Sequence, residues 1–168
     1  MVNIPDNRIT QLVRFMLAVT MVGILAATAA AGPAEDGVIA YRKGDYAKAL
    51  DLWRTAGEAG NAAAQNNLGI MYDLGKGVPR SDKLALFWFL KAARQGYANA
   101  QFNMGRKYDN GEGVQANEVV AYMWFVLAAE GGNPAFKVHR DKLAKQLTPE
   151  EVRTGYNLAR KWIAANKK

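Results

Sequence analysis

The chain contains no cysteine. That excludes a disulfide framework, a thiolate metal site, a nucleophilic Cys and a lipid anchor attached to cysteine. Histidine and serine are almost as scarce, with His139 and Ser81 the single example of each. One histidine cannot build the usual His-rich zinc site. Ser81 and His139 stand far apart, and Ser81 has a sufficient role as a helix N-cap, so a Ser-type triad has no credible members. No catalytic set, metal ligand set or cofactor is therefore expected. The remaining enzymatic route runs through Asp73 and Asp109, which recur near helix ends and would have to meet within a few ångströms in a cleft. The pairs Gly75/Gly77 and Gly111/Gly113 lack both a preceding strand and a following G-K-[ST], so they read as turns between helices and not as phosphate loops.

Long apolar runs are also few. The one that exists, Phe15 to Leu25, follows a polar stretch with Arg8 and Arg14 and precedes small residues ending in Ala29 and Ala31. That order is a secretory signal over residues 1–31, with cleavage before Gly32. The alternative is an uncleaved anchor, since no charge interrupts Phe15 to Ala34. Either reading places the folded part in the periplasm or outside the cell.

What remains is globular in composition, with 50% hydrophobic and 22% charged residues. The net charge is +7. Residues 32–136 carry 11 basic and 11 acidic side chains, whereas residues 137–168 carry 9 basic and 3 acidic. The surplus reads as a solvated terminal helix, because the basic residues are not interleaved with exposed aromatics; nucleic acid is disfavoured as a partner.

The chain repeats itself at an offset of 36 residues. Ala64, Gln65, Asn67, Gly69, Tyr72, Asp73, Gly75, Gly77 and Val78 match Ala100, Gln101, Asn103, Gly105, Tyr108, Asp109, Gly111, Gly113 and Val114. Ala85, Trp88, Phe89, Ala92, Ala93 and Gly96 match Ala121, Trp124, Phe125, Ala128, Ala129 and Gly132. Ala49, Leu52, Trp53, Ala56 and Gly60 extend the pattern backwards as half a copy with a tighter turn at Gly44-Asp45. Fixed recurrence of this kind marks a stacked repeat architecture. Each unit reads as two helices. The first runs from Asn61 to Leu74 with Leu68, Met71 and Tyr72 on one face; Gly75 ends it, and Ser81 or Asn117 caps the second. Thr148-Pro149-Glu150-Glu151 starts a terminal helix by a capping box. Residues 135–146 predict another, with Phe136, Leu143 and Val138 on its apolar stripe. The divisions are thus 1–31 signal or anchor, 32–59 partial repeat, 60–95 and 96–132 full repeats, and 133–168 capping helices. Trp53, Trp88, Trp124, Tyr72 and Tyr108 recur with the repeat, which makes them core and not a sugar-stacking platform.

The marks A-x-x-x-L-G-x-x-Y-x-x-G-x-G-V, then A and W-x-x-x-A-A-x-x-G, resemble the Sel-one-like repeats, a branch of the tetratricopeptide-like superfamily. The resemblance implies an all-α fold, with antiparallel helix pairs stacked into a short right-handed α-solenoid closed by C-terminal capping helices. It also implies an adaptor or scaffold that binds a protein or peptide segment, often in the bacterial envelope. The positions resembling the family's concave face are Asn66, Ile70 and Asp73 in one repeat and Phe102, Arg106 and Asp109 in the next. Ile70 and Phe102 would meet partner side chains, or else pack against the neighbouring repeat. An envelope polysaccharide or cell-wall accessory role is the alternative.

Overall fold

The computed structural model describes residues 32–166. The signal or anchor reading of residues 1–31 lies outside them. The described residues form helices and no strand: α1 (Pro33–Arg42), α2 (Tyr46–Glu58), α3 (Ala62–Leu74), α4 (Asp82–Arg94), α5 (Ala98–Asn110), α6 (Glu118–Glu130), α7 (Pro134–Ala144) and α8 (Pro149–Asn166). Each helix from α1 to α6 packs on the next in sequence, and α8 packs on α6. This is a stack of antiparallel helix pairs, α1/α2, α3/α4 and α5/α6, with α7 and α8 at its C-terminal end.

Local chemistry sets the helix ends. Asp45, Asn61, Ser81, Asn117 and Asn133 each accept a hydrogen bond from a first-turn backbone N–H, which satisfies a donor the helix leaves unpaired. Gly75 and Gly111 end α3 and α5 in the left-handed conformation, at φ 66° and 70°, and their N–H groups return to the Met71 and Lys107 carbonyls. The Asn117 carboxamide accepts from the Val120 N–H at 3.0 Å. Asn117→Ala is expected to cost about 1 kcal/mol, read as a fall of roughly 3 °C in the helical melting curve.

The core is built by glycine against aromatic. Gly69 and Gly105 sit inside α3 and α5, where glycine is a poor helix former. A Cβ on Gly69 would lie 2.5 Å from Phe89, and one on Gly105 would lie 2.5 Å from Phe125. Gly37 stands in the same relation to Trp53, whose Nε1 donates to the Ala34 carbonyl at 2.9 Å. The glycine of L-G-x-x-Y therefore serves close helix approach, with the ring of the pair's second helix laid on it. Trp53, Trp88 and Trp124 are all buried, as the periodicity requires.

The C-terminal segment departs from the expected stripe. α7 buries Phe136 and Leu143, but Val138 is 66% exposed. Two positions on from Phe136 is the far side of a helix, so Val138 points away from the stack. α7 and α8 each pack on α6. With α5 also against it, α6 has no water-facing side over its middle turns, and every residue from Tyr122 to Ala129 is buried.

Candidate binding groove

Side chains of α3, α5 and the start of α7 line an open cleft of about 310 Å³, formed by Asn66, Asn67, Ile70, Tyr97, Asn99, Phe102, Asn103 and Phe136. Four of these are asparagines and none is charged. Asn103 Nδ2 donates to Asn66 Oδ1 at 3.0 Å, which holds the two helices in register across the floor. A carboxamide offers both a donor pair and an acceptor, the same alternation that an extended peptide backbone presents. Phe102 forms the apolar end. It stacks on Phe136 with centroids 4.6 Å apart and planes 20° apart, and the His139 ring meets it edge-on at 4.8 Å.

The structure separates the residues expected on the concave face. Asn66, Ile70 and Phe102 line the cleft. Asn66 is buried in its floor, and Ile70 and Phe102 are half-buried, each also packed against the core. Arg106 and Asp109 are exposed on α5 and do not line it. Asp73 belongs to a different arrangement. Asn67, Asn99, Asn103, Tyr97 and Phe136 join the groove without having been singled out. The Asn67/Asn103 recurrence was the available signal for two of them.

Beside the groove lies Lys107, 2% exposed. Its ammonium donates to Asp73 at the end of α3, to Asp82 at the start of α4 (2.9 Å), and to Glu112 in the turn after α5 (2.8 Å). The three carboxylates come within 4.8 Å of one another, a spacing suited to a cation, and the lysine supplies that charge. Burial works against the Lys107 charge, yet the hydrogen bonds to the three carboxylates outweigh it and hold the pKa above the ordinary lysine value. The hydrogen bond from Lys107 keeps Asp82 and Glu112 below the usual carboxylate range. Asp73 is therefore committed to an ion pair between repeats. Asp109 is exposed, with no side-chain partner among the described residues.

The family model for the Sel1 repeat matches three successive segments, residues 26–61, 62–97 and 98–133. The chain belongs to the Sel1 repeat family. The half copy seen at the N-terminal end of the sequence is matched as a whole unit. Among solved structures, the chain is similar to c5321, a protective antigen present in uropathogenic Escherichia coli strains and displaying an SLR fold. That match has 33% identity and a TM-score of 0.74 over 79% of this chain and 29% of that one. It is also similar to a Sel1 repeat protein from Oxalobacter formigenes, with 33% identity and a TM-score of 0.64 over 76% of this chain and 54% of that one. The chain thus spans about a third and about half of those proteins. No curated protein matches it. Sel1 repeats are helical scaffolds that generally mediate protein–protein interactions. No helix among the described residues is long and apolar enough to cross a membrane.

Proposed function

We propose that this chain is an exported adaptor that binds an extended peptide segment of a partner protein in the groove of α3, α5 and α7. The observation that carries the reading is the hydrogen-bonded Asn66–Asn103 floor beside the stacked Phe102–Phe136 wall. The asparagines hold main chain, and the aromatic wall takes one apolar side chain. The uncharged lining suits a ligand recognised by backbone and shape. The order of residues 1–31, basic then apolar then small, supports export to the periplasm or the medium.

The test is crosslinking capture in cells with tagged protein, wild type beside Phe102→Ala and Asn103→Ala. Recovery of one envelope protein by the wild type, with at least a tenfold loss in both variants, is the expected result, because truncating a central anchor commonly costs about 2 kcal/mol of binding. Capture unaffected by either change would remove the groove from the account. Cell fractionation checks export: the protein is expected in the envelope or medium, and a cytoplasmic pool alone would refute it.

A further inference from the structure

The second helices of the three pairs, α2, α4 and α6, carry different outer faces at the same repeat positions. On α2 these positions hold Lys48, Asp51 and Thr55, which are polar and exposed. On α6 they hold Val120, Met123 and Leu127, and the last two are buried at 8% and 4%. The cover on α6 is α8. Helix α6 has α5 and α7 beside it just as α4 has α3 and α5, and α8 is its further neighbour. A Cβ on Gly155 of α8 would lie 3.6 Å from the Met123 backbone nitrogen, and the Trp162 ring meets Trp124 edge-on at 4.6 Å. On α4 the same positions hold Leu84, Phe87 and Lys91. They are apolar where those of α2 are polar, and open where those of α6 are covered: Leu84 is 42% and Phe87 49% exposed.

The rest of that face is basic. The exposed residues of α4 are Lys83, Leu84, Phe87, Lys91 and Arg94, which share one side of the helix by their spacing. The one carboxylate of α4, Asp82, is held by Lys107. Lys83, Lys91 and Arg94 form no ion pair among the described residues. The Lys91 ammonium lies over the Phe87 and Trp88 rings, 4.8 and 5.0 Å from their centroids. None of these residues lines the groove of α3, α5 and α7.

We propose that this face of α4 seats an acidic amphipathic helix of a partner protein, a second contact surface beyond the groove. The α8–α6 pair is the reason for a helix, since the same face one repeat later already carries one. The unpaired cations are the reason for acid. Leu84 and Phe87 lie one turn apart and take apolar side chains of the occupant. Lys83 stands before them and Lys91 and Arg94 after, a separation of about 12–16 Å along the axis. The carboxylates of the occupant therefore stand two to three turns apart, with its apolar anchors between them.

The test places a photo-crosslinking residue in the full chain in cells, Phe87→p-benzoylphenylalanine, and sequences the adduct by mass spectrometry. The expected adduct is one segment of a partner protein with apolar residues at helical spacing and carboxylates on both sides of them. That segment, synthesised as a peptide, binds the purified wild type. The double variant Lys83→Glu with Lys91→Glu keeps the wild-type helical melting curve and binds it roughly tenfold more weakly. A peptide with its carboxylates exchanged for lysines prefers the double variant. The adduct persists in Phe102→Ala, which separates this surface from the groove. Its loss there would make α4 an extension of the groove and overturn a separate seat. Adducts with lipid alone, with a second copy of this chain, or with a neutral or basic segment overturn the proposal, as does the lack of any adduct or peptide binding indifferent to the charge reversal.

Discussion

Lys107→Ala is expected to destabilise the protein by about 3 kcal/mol, measured by urea unfolding at neutral pH. The change leaves three carboxylates within 4.8 Å of one another with no cation between them. Breaking a buried ion pair from one side typically costs 3–5 kcal/mol, and the partial exposure of Asp73, Asp82 and Glu112 places the loss near the low end. The informative partner is the fully neutral variant: Lys107→Met with Asp73→Asn, Asp82→Asn and Glu112→Gln. Met71 stands at the matching place one repeat earlier, buried and apolar. Replacing a whole buried ion cluster is often neutral or stabilising, so this variant is expected within about 1 kcal/mol of wild type. A neutral variant as unstable as Lys107→Ala would mean that the lysine's stem, and not its charge, holds the repeats together.

The cluster also fixes a pH dependence. Asp82 and Glu112 have folded pKa values below their unfolded ones, so their contribution is complete above the ordinary carboxylate range and disappears as pH falls through the folded values. Lys107 has its pKa raised, so its contribution is complete below 10.5 and disappears as pH rises through the folded value. Stability is expected to be flat near neutrality and to fall in acid, with a shallower acid limb in the neutral variant.

Gly105→Val is expected to cost about 3 kcal/mol or more, and Gly105→Ala about 1–2 kcal/mol. Propensity alone predicts the opposite sign for alanine, which is about 1 kcal/mol better than glycine inside a helix. Overpacking decides the matter, at roughly 1–3 kcal/mol for a methyl group forced into a filled core. Phe125, the ring in the way, is itself buried and in contact with Phe102 and His139, so it has nowhere to move. Gly105→Ala combined with Phe125→Leu should recover part of the loss. Denaturant midpoints of the single and double variants give the coupling directly.

The repeat made much of this legible in advance. Recurrence located the helix pairs, the capping residues Ser81 and Asn117 and the buried tryptophans, and it paired Gly69 with Gly105 without showing what they admit. Periodicity is blind to the places where one repeat differs from another, and those differences carry the unexpected chemistry. Lys107 takes a position that the previous repeat fills with Met71, and two of its three partners, Asp73 and Asp82, come from that previous repeat. Arg106 and Asp109 stand exposed on α5 outside the cleft, because helical spacing fixes a direction on one helix and not how far the next helix reaches. α7 closes the groove over Phe102, one turn before Arg106.

The all-round burial of α6 bears on the order in which the chain takes shape. Emerging from the ribosome, residues 118–130 are apolar on every side, and α7 and α8 are not yet made. Another 36 residues must follow before α8 is complete. At roughly 5–20 residues per second that interval is on the order of seconds, long enough for a chaperone to engage the exposed segment. A stop codon or a proteolytic cut after residue 133 would make the exposure permanent. The shortened product, although it keeps every matched repeat, is expected to aggregate or be degraded.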